Sequence, residues 1–81
     1  MRMGTEKMSV DDFIQEFNET PARDRFLTNY IFKNTGFSVE VNGIHIEDLK
    51  TNNNTLYVTT SNNRKMEFSL NGLTIDKCKS I

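Results

Sequence analysis

The stretch that decides the fold is TPARDRFLTNYIFKNTGFSVEVNG, residues 20–43. Thr20-Pro21 reads as a helix start, with Thr as N-cap and Pro at the first helical position, where its missing N–H costs nothing. Phe26, Leu27, Tyr30 and Ile31 then share one helical face, which Phe32 widens, so the spacing predicts a helix over residues 21–33. Asn34-Thr35-Gly36 ends it, with Gly supplying a left-handed backbone. From Phe37 the period changes to two. Phe37, Val39 and Val41 alternate with Ser38 and Glu40, and Asn42-Gly43 is a strong hairpin dipeptide.

Toward the N-terminus, Ser9-Val10-Asp11-Asp12 resembles a capping box with Asp in place of Glu. Val10, Phe13, Ile14 and Phe17 follow at i, i+3, i+4, i+7 and predict an amphipathic helix ending near Glu19, acidic on its other surface through Asp11, Asp12, Glu16 and Glu19. That surface could meet a protein partner. Residues 1–8 lack periodicity and read as a disordered leader. Toward the C-terminus, Ile44 and Ile46 resume the alternation as far as Leu49, and residues 50–54 form a polar loop. Leu56, Val58 and Thr60 carry a third strand, with Tyr57 on its other face. Met66, Phe68 and Leu70 carry a fourth, Asn71-Gly72 turns, and Leu73 and Ile75 carry a fifth. The expected fold class is α+β: N-terminal helices followed by a five-stranded, strongly bent antiparallel sheet, in one domain over residues 9–81.

Composition narrows the function. With 81 residues the chain is a single small domain, and its apolar share of 36% gives it a thin core. Ten Lys and Arg against eleven Asp and Glu leave a net charge of -1, which excludes nucleic-acid binding by bulk charge. One Cys and one His exclude an internal disulfide and a multi-His or Cys-based metal site, and no cofactor is expected. No apolar run is long enough to span a membrane and no secretory signal is evident, so a cytoplasmic location is expected. His45, between Ile44 and Ile46, lacks a convincing nucleophile to serve, and no enzyme is expected. Cys78, between Lys77 and Lys79, is the single Cys of the sequence, so no second Cys could resolve an oxidised thiol. Arg64-Lys65 and the lysines of the tail are the basic spots available to phosphates.

Asp24-Arg25-Phe26-Leu27, Lys33-Asn34-Thr35 and Val39 through Val41-Asn42-Gly43-Ile44 resemble the opening of the Hfq family, the bacterial Sm-fold RNA chaperones. The resemblance covers residues 24–75 and implies an Sm-like small barrel. It implies RNA binding without catalysis, in post-transcriptional regulation. It also implies a ring-type homo-oligomer that pairs residues 66–70 (Met66 to Leu70) of one subunit with residues 73–77 (Leu73 to Lys77) of the next. The implied distal-type face for adenine-rich RNA is Val39, Gly43, Ile44, Ile46 and Glu47. The implied proximal-type face is Asp24, Asn53, Thr55, Leu56 and Ser69. Departures weaken that second face: the family's Tyr-Lys-His segment is Phe68-Ser69-Leu70 here, and Asn53 stands where a base-stacking aromatic is usual. Asp48 replaces a Gly, and Glu47 replaces a neutral amide. These departures support an alternative: a protein-interaction module on the same scaffold that has lost RNA binding and meets its partner through the N-terminal helices.

Overall fold

Residues 20–43 do not form a helix and a strand; they form a short helical turn and a β-hairpin. The computed structural model describes residues 5–79. Its elements are β1 (Thr5–Met8), α1 (Val10–Glu19), a 3-10 segment (Ala22–Leu27), β2 (Thr28–Asn34) and β3 (Phe37–Asn42). A 3-10 turn (Gly43–His45), β4 (Ile46–Asn52), β5 (Thr55–Thr60), β6 (Lys65–Ser69) and β7 (Thr74–Lys79) follow. One antiparallel sheet has the order β1-β7-β2-β3, the other β4-β5-β6.

The expected fold is therefore corrected in four respects. The helix over residues 21–33 is replaced by the 3-10 segment, which has no side-chain N-cap, and by β2. Thr28, Tyr30, Ile31 and Phe32 are β-branched or aromatic and fit a pleated surface better than a helix. In β2 they alternate strictly, with Thr28, Tyr30 and Phe32 buried between two neighbouring strands, β3 and β7. Second, α1 is capped as expected, Ser9 Oγ accepting from the Asp12 N–H at 3.1 Å, but it follows a strand rather than opening the fold. Thr5–Met8, inside the expected leader, pair with β7; residues 1–4 lie outside the described residues. Third, seven strands in two sheets replace five in one. The sheets do not close into an Sm-like barrel: β1, β3, β4 and β6 each have a single partner among the described residues. Fourth, neither Asn-Gly pair makes a hairpin. Asn42-Gly43 leads through the 3-10 turn into the other sheet, and Asn71-Gly72 joins β6 of one sheet to β7 of the other.

The hairpin turns lie elsewhere. Gly36, expected to end a helix, does take a left-handed φ of 92°, but in the two-residue turn between β2 and β3. Asn53 and Asn54, read as loop, are both left-handed (φ 51° and 60°) and make a two-residue turn of the I′ pattern between β4 and β5.

The core lies between the helix and the inner faces of both sheets. Phe13 and Phe17 of α1, Tyr30 and Phe32 of β2 and Ile75 of β7 meet Ile46, Leu56, Val58 and Phe68 of the second sheet. Phe13 stands edge-on to Tyr30 (4.7 Å, 68°) and to Phe32 (5.3 Å, 83°). Phe32 stacks on Phe68 at 4.9 Å, which joins the sheets. On the outer side of β7, buried Asp76 is held by Lys33 Nζ at 2.7 Å.

Gly43 is buried, and a Cβ there would sit 2.7 Å from the Arg25 carbonyl oxygen. Phe13 is fully buried. Urea unfolding should therefore show Gly43→Ala losing about 1–3 kcal/mol and Phe13→Ala about 3–5 kcal/mol. A neutral Gly43→Ala would mean that the two 3-10 segments do not pack as described.

Candidate functional site: an apolar patch on two clipped turns

The two 3-10 segments are held together by one side chain. Asn42 Nδ2 donates to the Phe26 carbonyl at 3.3 Å, and Asn42 Oδ1 accepts from the Ile44 N–H at 3.0 Å. Gly43 lets the segments approach, because any larger residue would meet the Arg25 carbonyl. Arg25 is pinned in turn: its Nη2 donates to the Phe17 carbonyl at 3.1 Å, and its guanidinium lies 3.9 Å from the centre of the Phe17 ring.

This clip presents three apolar side chains to solvent. Phe26 is 51% exposed, Leu27 40% and Ile44 45%. A single exposed apolar residue is ordinary, but here three large ones sit on two turns that one side chain joins. On one side Leu27 borders a groove that also takes in Glu16, Glu19, Asp24 and Lys77. On the other, His45 borders a groove lined by Val39, Glu40, Val41, Arg64 and Met66.

The acidic side is anchored to the core. Lys77 Nζ lies 2.7 Å from Glu16 Oε1 and 3.5 Å from Glu6, so Lys77 is committed to those carboxylates. The Tyr30 hydroxyl donates to Glu16 Oε2 at 3.3 Å. Burial, and then the Glu16 charge, push the Tyr30 phenol well above its ordinary value of 10.0. The hydrogen bond to Glu16 holds the Lys77 ammonium above its ordinary value, against the opposing effect of burial.

The residues expected on the distal-type face do not come together as one surface. Ile46 is in the core, Gly43 is buried beneath the Arg25 carbonyl, and Val39 is half-buried against the core. Ile44 and Glu47 remain exposed. Of the proximal-type residues, Leu56 is a core side chain. Asn53, Thr55 and Ser69 lie at the β4–β5 turn end of the second sheet, where Thr55 pairs with Ser69. Asp24 stands apart from them, in the acidic groove. Of the two strands expected to pair in a ring, β6 is an open edge among the described residues, whereas β7 is already paired with β1 and β2.

His45 lies in a 3-10 turn rather than in a strand. Ser61 lines the same groove and donates its N–H to the His45 carbonyl at 2.8 Å. No hydrogen bond joins the His45 ring to Ser61 or Glu40 among the described residues. Those residues also hold no group of three or more His, Cys, Asp or Glu placed to bind a metal ion, and no helix long and apolar enough to cross a membrane. Phe26 and Leu27 were hidden by the helical reading. The available signal was the break at Thr28-Asn29, which leaves too few residues after Pro21 for a helix that buries them.

The chain matches no protein-family model, no curated protein and no solved structure.

Both raised groups have the same consequence. Stability they contribute is fully present below their unfolded values, 10.0 for Tyr and 10.5 for Lys, and is lost as the pH climbs toward the folded values. Denaturant titrations should show a loss of stability beginning near pH 10 that is smaller in Tyr30→Phe. An equal alkaline loss in both proteins would remove Tyr30 from the account.

Proposed function

We propose that the protein is a non-catalytic interaction module that docks a segment of a partner protein on Phe26, Leu27 and Ile44. The observation that carries this reading is the clip itself: Asn42 bonds both turns that bear the exposed apolar groups. Such a surface is pre-organised, so binding loses little conformational entropy. The bordering carboxylates of Glu19 and Asp24 define the partner's chemistry. A segment with apolar anchors and flanking Lys or Arg complements them.

RNA binding is the second reading, and a different surface favours it. On the outer face of the second sheet, Tyr57 lies opposite Lys50, and both line a shallow depression with Lys65. An aromatic ring beside a cation suits a stacked base and its phosphate, although the other cross-strand neighbour of Tyr57 is Glu67. Glu47 and Asp48 border the same depression and work against it. On this reading the module would act in post-transcriptional regulation.

Peptide display against the folded chain, with adenine-rich and uridine-rich oligonucleotides run in parallel, separates the two. Enriched peptides should combine apolar residues with Lys or Arg. They should lose about a hundredfold or more in affinity when Phe26→Ser and Ile44→Ser are combined, since each buried apolar side chain contributes about 1.5–3 kcal/mol. Peptide binding indifferent to those substitutions would refute the reading. Oligonucleotide binding that Lys50→Ala and Lys65→Ala abolish, with no peptide enriched, would establish the second reading instead.

A further inference from the structure

We infer that β6 is a self-complementary edge through which two copies of the chain pair antiparallel about a two-fold axis. The inference does not rest on the proposed function, because β6 is separate from the Phe26, Leu27 and Ile44 patch.

Hydrogen bonds at both ends of the β5–β6 ladder give the direction of its free groups. Thr60 donates its N–H to the Arg64 carbonyl at 2.9 Å, and Leu70 donates its N–H to the Asn54 carbonyl at 2.9 Å. In an antiparallel pair, residues alternate between facing the partner strand and facing away. Arg64, Met66, Phe68 and Leu70 therefore turn their backbone groups toward β5. Lys65 and Glu67 turn theirs outward, where no strand lies among the described residues; Ser69 also faces outward, but its carbonyl accepts from Asn34 Nδ2 at 3.4 Å. Such a row of open donors and acceptors is a template for another strand.

Side-chain charge selects the register. Lys65 and Glu67 are exposed, and Met66 and Phe68 turn toward the core. Placing Met66 opposite Met66 of the second copy brings Lys65 opposite Glu67 twice. Both of those pairs consist of outward-facing residues, so they exchange about four inter-chain backbone hydrogen bonds and form two cross-strand ion pairs. It also keeps the inner faces of the two sheets on the same side. Shifting the register by one residue on each strand sets Glu67 against Glu67, which is repulsive.

Neighbouring features agree. Phe37, 42% exposed, stacks on Phe68 at 5.8 Å and supplies apolar surface beside this edge. In the favoured register Arg64 of the second copy falls opposite Phe68. The β3 and β4 edges are less suited. A bulge between Ile46 and Asp48 breaks β4. On β3 the outward-facing Glu40 can meet only itself or an uncharged neighbour such as Ser38.

A five-residue edge makes a small interface, so the dimer should be weak and its mass concentration-dependent. Sedimentation equilibrium into the millimolar range tests it. The wild-type mass should rise from 9.4 kDa toward twice that value and no further, because a two-fold contact closes. Glu67→Lys and Lys65→Glu should each weaken association at least about tenfold by setting like charges opposite one another. The double reversal, Lys65→Glu with Glu67→Lys, should restore it. Glu67→Pro should abolish it, because the N–H it removes faces away from β5; circular dichroism checks that each variant is folded. A mass fixed at one chain, growth beyond two chains, association unaffected by either single reversal, or association only after an RNA oligonucleotide is added would each overturn the inference.

Discussion

Phe32 touches Phe13 on one side and Phe68 on the other, and the rest of the structure depends on that contact. Phe13 brings in α1, Phe68 brings in the second sheet, and Phe32 lies on the strand between β7 and β3. None of the three is more than 4% exposed. In so short a chain a few aromatic rings supply much of the buried apolar area. The polar links around them join the same elements: Glu16 of α1 accepts from Tyr30 of β2 and from Lys77 of β7.

The apolar patch follows from this arrangement. Once Tyr30 and Phe32 are drawn into the core as alternate residues of β2, the preceding 3-10 segment has no buried face left. None of its residues is buried. Phe26 and Leu27 are exposed for that reason, and Ile44 joins them because Asn42 fastens the second turn to the first. The surface proposed for a partner is thus a by-product of where the strand begins. The open β6 edge has a similar origin: two sheets that do not close leave strands with one free side.

Sequence pattern revealed much, and its failures are instructive. The Ser9 cap and the Val10, Phe13, Ile14, Phe17 stripe are local signals, and α1 follows them. The alternations of Leu56 with Val58 and of Met66 with Phe68 likewise become strands. Tyr30-Ile31-Phe32 was ambiguous, because three consecutive apolar residues fit either period. Pro21 and Gly36 favour a helix on pattern alone, although both residues serve turns equally well. Gly36 even adopts the expected left-handed backbone, in a hairpin instead of a helix end. Asn42-Gly43 carries the usual signal for a two-residue hairpin turn, yet Gly43 is needed there for close approach to Arg25 rather than for a left-handed φ. The resemblance to the Hfq family drew on these same segments, and it led to a barrel that the two open sheets do not form. A helical reading hides the candidate residues for the same reason, since Phe26 and Leu27 are core residues in a helix and surface residues in a 3-10 turn.

The central claim is that Thr28–Asn34 is the strand joining β7 to β3. Nuclear Overhauser contacts in the labelled protein test it most directly. Ile31 should show cross-strand backbone contacts to both Glu40 and Asp76, its partners on the two sides. Helical contacts between residues three apart across residues 21–33, with neither cross-strand set present, would contradict the account.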